Sequence, residues 1–200
     1  MRVLGWALAC VMAAPVAWAE GERAGEFDYY VMALSWSPTW CALEGDARQS
    51  PQCAADADFG WVLHGLWPQY QRGWPSFCPT SERNPSRSMT AEMADIMGTS
   101  GLAWYQWNKH GVCSGLSASD YYALARDAYG TIVRPDVFRR LDTAVRLPAS
   151  VVEEAFLKDN PGARDRFVIA TKAGIVPKPE RHFNNSPEHL RECLEGSLRR

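Results

Sequence analysis

The sequence lacks an excess of positive charge: 21 lysines and arginines stand against 23 aspartates and glutamates, a formal charge of −2. A protein that coats nucleic acid without regard to sequence is basic overall, so that class is excluded. An enzyme that takes a short single-stranded segment into a local pocket is not. No CxxC pair is present, which removes the usual zinc-ligand spacing. There is no internal repeat and no linker that would mark a second domain. Histidine is scarce, with four in 200 residues, so two that share a local pattern stand out.

What the chain has instead is apolar and aromatic. Hydrophobic residues make up 46% and there are nine tryptophans, enough for one domain with a proper core. Most of the tryptophans must be buried, because aromatic area stabilises a small domain strongly.

Residues 1–19 read as a signal peptide. Arg2 supplies the charged start, Val3 to Val16 an apolar stretch too short to span a bilayer, and Ala17-Trp18-Ala19 an A-x-A cleavage site before Glu20. A lipoprotein reading through Cys10 leaves too short an apolar run ahead of the cysteine. The expectation is an exported protein, periplasmic or secreted, with no membrane contact after cleavage, and with residues 20–200 as a single domain. Export changes how the mature cysteines read. Cys41, Cys53, Cys78, Cys113 and Cys193 default to disulfides in an oxidising compartment; the count is odd, and Cys193, near Arg200, is the expected orphan.

Along the chain, Glu20 to Glu26 reads as a loose polar tail. Asp28 to Trp36 reads as a strand, ended by Ser37-Pro38-Thr39-Trp40. Glu44 to Asp58 reads as a surface loop, closed at its ends if Cys41 bonds Cys53. Phe59 to Leu63 is a second short strand, with His64-Gly65 at its end. Pro68 to Arg87, with four prolines and a glycine, reads as irregular. Thr90 to Met97 and Leu102 to His110 have helical spacing, the latter stopped by Gly111. Ser117-Ala118-Ser119-Asp120 caps a helix to about Tyr129, Pro135 to Leu141 is a short helix, and Ser150-Val151-Val152-Glu153 is a capping box leading Val151 to Lys158. Arg166 to Thr171 is a third strand candidate, and the pattern weakens from Ala173 onward.

Chemistry concentrates at two His-Gly pairs beside tryptophan: Trp61-Val62-Leu63-His64-Gly65-Leu66-Trp67-Pro68 and Trp104-Tyr105-Gln106-Trp107-Asn108-Lys109-His110-Gly111-Val112-Cys113. One neutral imidazole removes a proton while a second, protonated, gives one to a leaving group. A fixed cation such as Lys109 stabilises charge building on a phosphoryl group. RNA is the substrate on which this works without a metal, since its 2′-OH is an internal nucleophile beside the phosphate. DNA lacks that hydroxyl. A single His-Gly beside tryptophan is more often a packed turn than a catalyst, and spacing alone goes no further.

The residues themselves resemble the T2 ribonucleases, a family of secreted endoribonucleases. His64-Gly65-Leu66-Trp67-Pro68 and Trp107-Asn108-Lys109-His110-Gly111-Val112-Cys113 are similar to that family's two active-site segments, and Ser35-Trp36-Ser37-Pro38-Thr39-Trp40-Cys41 is similar to the opening strand of bacterial members. The resemblance covers roughly Phe27 to Gly162 and extends through Cys113-Ser114-Gly115-Leu116-Ser117. It implies an α+β fold, an antiparallel sheet packed with several helices and stapled by disulfides Cys41–Cys53 and Cys78–Cys113. It implies His110 as general base, His64 as general acid, Lys109 stabilising the phosphorane-like transition state, and Trp67 stacking a base. Single-stranded RNA would be cleaved to a 2′,3′-cyclic phosphate and a 5′-hydroxyl, by a monomer, without cofactor or metal.

Departures from the pattern matter. The family's second segment usually begins His-Glu-Trp; here Tyr105 stands for a phosphate-binding histidine and Gln106 for the glutamate that assists at the phosphate. An amide donates a hydrogen bond but cannot hold a proton or tune an imidazole as a carboxylate does. Val112 replaces the usual threonine, and Gln69 stands where many members carry an acidic residue that reads the base. The implied enzyme is weaker but intact in His64, Lys109 and His110. The alternative is an RNA-binding or interaction protein of this fold that has lost efficient turnover; a third reading is a structural domain with two packed turns. Near the C-terminus, Arg191-Glu192-Cys193-Leu194 resembles the start of the family's ending without its partner cysteine, so the tail is truncated or diverged. His182 and His189 read as solvated, Asp56 and Asp58 as a solvated turn, Asn184-Asn185-Ser186 as a conditional glycosylation sequon, and Trp104 with Trp107 as a core stripe.

Overall fold

The computed structural model describes residues 22–140, 147, 149–163, 175–176 and 182–183. The chain falls into two compact units, Met1–Asp127 and Ala128–Arg200. The leader, the strand expected at Arg166 to Thr171, His189, the sequon and Cys193 lie outside the described residues. Among the described residues no helix is long and apolar enough to cross a membrane.

The first unit is built on two antiparallel strands, β1 (Tyr29–Trp36) and β2 (Trp61–Gln69). Tyr29, Tyr30, Val31 and Trp36 in β1, and Trp61, Val62 and Trp67 in β2, are the β-branched and aromatic residues that a half-buried pleated surface favours. Strand β2 is longer than the sequence suggests. Pro68 does not end it, because each strand of a two-stranded sheet has one open edge on which a missing N–H is harmless. Opposite Ala33 stands Gly65, and opposite Leu34 stands Leu63, so His64 is an extra residue without a partner. His64 is therefore a β-bulge inside the strand, not the residue that follows it. Bulges re-aim a side chain and sharpen local twist.

A short helix α1 (Ser37–Trp40) follows β1, and a wide turn (Cys41–Gly45) leads into the loop that the Cys41–Cys53 disulfide closes. The expected helix at Thr90 to Met97 is two pieces, α2 (Arg87–Glu92) and α3 (Ala94–Met97), broken at Met93. Ser86 caps α2 by accepting the Met89 amide at 3.2 Å, within the proline-rich stretch that reads from sequence as irregular. Helix α4 (Ser100–Lys109) begins before Leu102 because Thr99 Oγ1 accepts the Leu102 amide at 3.1 Å. Ser117 caps α5 (Ala118–Gly130) as expected, taking the Asp120 amide at 3.2 Å.

The core of this unit lies between β2, α3, α4 and the start of α5. Val62, Leu63, Leu66, Met93, Met97, Ala103, Trp107, Tyr121 and Tyr122 are all buried there. Two phenols tie it together: Tyr121 donates to the Leu66 carbonyl at 2.7 Å and Tyr122 to the Ala103 carbonyl at 3.0 Å. Burial pushes the Tyr122 phenol above its ordinary range and the Tyr121 phenol further still, so both stay neutral donors. Trp107 is wholly buried against Tyr121, but Trp104 is 43% exposed. The core-stripe expectation holds for Trp107 and fails for Trp104, since positions three apart on α4 point about 60° apart and only one reaches the core.

In the second unit, the helix expected at Pro135 to Leu141 is a 3-10 stretch, Asp136–Arg140, and α6 (Ala149–Asp159) begins before Ser150, so that serine lies inside the helix and does not cap it. Asn160 grips Val133 from both sides: its Oδ1 takes the Val133 amide and its Nδ2 donates to the Val133 carbonyl, each at 2.8 Å. Beyond Ala173, where the sequence showed no clear pattern, β3 (Ile175–Val176) and β4 (His182–Phe183) pair antiparallel.

Candidate active site

Both His-Gly segments reach one place in the first unit. His64 comes from the bulge in β2. His110 comes from the end of α4, where its backbone leaves helical geometry at φ −122° and a 3-10 turn, Gly111–Cys113, begins. Both rings contact Trp67. Its indole lies over the His110 imidazole, ring centroids 5.2 Å apart and planes inclined by 30°. The His64 ring meets the same indole edge-on at 5.9 Å.

The indole is fixed by Gln106. Trp67 Nε1–H donates to Gln106 Oε1 at 2.7 Å, and Gln106 is buried at 2% exposure. One turn on, the His110 amide donates to the Gln106 carbonyl at 2.9 Å. Gln106 therefore holds His110 twice, through the helix backbone and through Trp67. Gly65 makes room for this: a Cβ there would stand 2.2 Å from Trp67 Nε1 and 2.3 Å from Gln106 Oε1.

Electrostatics follow from burial and one cation. His110 is held down to about 4, by burial first, then by the Lys109 ammonium and by His64. His64 is also lowered, again by burial first and Lys109 second. An imidazole taken out of water beside an ammonium disfavours its own charge. His110 Nδ1 is buried with no hydrogen-bond partner among the described residues, and the ring contact that holds it there is the stack on Trp67. Lys109 Nζ lies 5.9 Å from the centroid of the exposed Tyr105 ring. Its carbonyl accepts the Phe77 amide at 2.8 Å.

The Cys78–Cys113 disulfide joins the loop after β2 to the turn after His110. The structure thus brings His64, Trp67, Gln106, Lys109 and His110 together, with Tyr105 reaching the group through Lys109. Gln69, at the end of β2, turns its side-chain amide onto the Pro68 carbonyl at 3.0 Å, along its own strand. The expected stacking face of Trp67 is shared with His110. The backbone bond from Phe77 to Lys109 is a link to this group that the sequence does not signal. Among the described residues, the grouping of three ligand-type side chains near enough to share an ion is Cys41, Asp46 and Cys53. Both of its sulfurs are already bonded to each other, which removes them as thiolate ligands.

Comparison with known proteins gives the family. The model of the Ribonuclease T2 family matches residues 27–149. A ribonuclease of Aeromonas hydrophila is 51% identical over 109 residues, covering 54% of this chain and 47% of that protein. A probable ribonuclease of Haemophilus influenzae is 33% identical over 121 residues, covering 54% and 44%. The chain spans about half the length of the curated relatives it matches. In three dimensions it resembles trichomaglin, described as a novel S-like ribonuclease, with a TM-score of 0.53 at 21% identity over 67% of this chain and 77% of that one. Both histidine segments lie inside the matched span, and that span is more than half of the sequence. This chain is a member of the Ribonuclease T2 family.

Proposed function

We propose that the protein is an exported endoribonuclease that cleaves single-stranded RNA by transesterification through the 2′-OH, without a metal. One observation carries this reading: two imidazoles contact a single indole, and the charge of one ammonium reaches both. His110, neutral above a pH of about 4, takes the 2′-OH proton as the 2′-oxygen bonds to phosphorus. His64, protonated, gives a proton to the 5′-oxygen as the P–O5′ bond breaks. The products are a 2′,3′-cyclic phosphate and a 5′-hydroxyl. Lys109 offsets the charge that builds on the phosphoryl oxygens. With Gln106 Oε1 committed to Trp67, what that side chain has left to offer a phosphate is its NH2 donor.

Export to a periplasmic or extracellular compartment is supported by the A-x-A leader and by two disulfides, which persist where the surroundings are oxidising. The test is digestion of homopolymer RNAs by the mature protein in a strong chelator, with analysis of product ends. Cyclic phosphate ends from RNA, and no cut in the matching DNA, are the expected result. Inhibition by the chelator would overturn the mechanism.

A second reading is favoured by one feature, the neutral Gln106 in place of a carboxylate. On that reading the protein binds RNA or a partner with little turnover. RNA binding without cleavage in the same assay would select it.

A further inference from the structure

Residues Glu20 to Glu26 read from sequence as a loose tail, yet from Glu22 onward the segment is tied down. The Ser76 amide donates to the Glu22 carboxylate. The Gly25 amide donates to the Cys113 carbonyl at 2.9 Å, and the Asp28 amide to the Gln69 carbonyl at 2.8 Å. Asp28 Oδ2 accepts in turn from the Gln71 amide at 2.7 Å. Gly115 comes so near that a Cβ on it would lie 2.9 Å from Gly25 Cα. The segment therefore contacts the end of β2, the loop after it and the turn that follows His110.

The loop it grips, residues 70–77, presents large rings to solvent from a fixed backbone. Trp74 is 57% exposed and Phe77 61%. Behind them the chain is held at Gln71 and Ser76 by the two carboxylates, at Phe77 by the Lys109 carbonyl, and at Cys78 by its disulfide to Cys113. Phe77 has a φ of 54°, in the left-handed region that costs a bulky side chain about 1 kcal/mol or more. Such a residue persists only where its surroundings over-determine it. An apolar ring held outward at that cost, on a rigid loop bonded to the Lys109 carbonyl, has the character of a contact for an unstacked base.

We propose that Glu22 and Asp28 are positioning residues, whose carboxylates hold the 70–77 loop in the shape that presents Trp74 and Phe77 to single-stranded RNA. This rests on the ribonuclease reading above. Neither carboxylate touches a reacting atom; each acts as an acceptor for one backbone amide. Substrate capture, not the chemical step, is what they support.

Two double variants of the mature protein test this. Glu22→Ala with Asp28→Ala removes both acceptors, while Glu22→Gln with Asp28→Asn removes charge but keeps an oxygen that accepts. The alanine pair should raise KM for an RNA oligomer about tenfold, as the loss of such hydrogen bonds gives, with kcat within about twofold. The amide pair should restore KM. Hydrogen exchange at the Gln71 and Ser76 amides should accelerate in the alanine pair alone. An unchanged KM, a loss confined to kcat, or amide variants as impaired as the alanine ones would each overturn the proposal. If the unaltered protein does not cleave RNA, the ribonuclease reading falls by itself. The same variants are then judged by exchange and by affinity for an uncleavable 2′-O-methyl RNA oligomer, where equal affinity in all three proteins overturns the role.

Discussion

Trp67 and His110 lie ring on ring, 5.2 Å between centroids and 30° between planes, while the indole N–H is bound to Gln106 at 2.7 Å. The buried imidazole thus has its orientation set by an aromatic neighbour, and that neighbour has its own set by a neutral amide. Catalytic histidines are commonly oriented through a ring N–H bonded to a carboxylate or carbonyl. Here Nδ1 of His110 has no such partner among the described residues, which gives the Trp67–Gln106 bond its weight in the geometry.

Trp67→Phe keeps a ring over His110 but removes the donor to Gln106 Oε1. An acceptor left buried without a partner costs about 1–3 kcal/mol. Urea unfolding should show that loss, and kcat should fall with it. Unchanged stability would mean the bond contributes nothing.

Gln106→Glu restores a carboxylate while preserving an oxygen for the indole. Turnover is expected to rise, because a carboxylate tunes a neighbouring imidazole toward its charged form. A wild-type protein without detectable cleavage, and no gain in the variant, would favour the binding-protein reading.

His64→Ala and His110→Ala should each abolish cleavage while leaving the fold intact, with losses on the order of 10²–10⁴ for each group. Circular dichroism checks the fold and an RNA oligomer the activity. Retained cleavage in either variant would remove that histidine from the mechanism.

The pH dependence follows from the signs of the shifts. A base must be unprotonated, so the His110 limb of kcat/KM rises through about pH 4. An acid must be protonated, so the His64 limb falls below that group's ordinary value, its charged form being disfavoured by burial and Lys109. The profile should be bell-shaped with an acidic optimum. Stability carries the same sign: the unfolded chain binds a proton at His110 near pH 6.5 that the folded chain refuses until about 4. Stability from this group is complete above the higher value and declines as pH falls between the two. A profile with one rising limb and no falling one would exclude His64 as the acid.

Gly65→Ala places a methyl 2.2 Å from Trp67 Nε1 and 2.3 Å from Gln106 Oε1. The hydrogen bond cannot survive it without movement of buried groups, so a destabilisation of roughly 1–3 kcal/mol is expected for overpacking, with loss of activity. Wild-type cleavage rates in this variant would show that the indole's position is not needed.

Short-range signals in the sequence cover part of the local structure. The start of α5 is legible at Ser117 to Asp120, whereas Ser86 and Thr99, which cap α2 and α4 within three residues, stand before the stretches whose apolar spacing reads as helical. Helical spacing places Gln106 and His110 a turn apart. The two His-Gly motifs, with Lys109 beside one of them, mark the segments that meet. What the motifs do not contain is register. His64 becomes a bulge only because β1 pairs with Gly65 and Leu63 around it, and that pairing depends on residues some 30 positions away. The fate of Trp104 and Trp107 was likewise undecidable from spacing, since both have the same side chain and only the core behind α4 chooses between them.

The chemistry-bearing residues, the family and the capped helices were therefore determined by the sequence itself, through side-chain identity and interactions spanning a turn or less. Tertiary structure alone decided that Trp67 contacts both imidazoles and is held by Gln106 across 39 residues. It also decided that a polar stretch resembling a tail fastens the loop beside the site, with Glu22 reaching Ser76 across 54 residues. Contacts of that range appear only once the chain has closed on its core, because nothing local to either partner specifies the other.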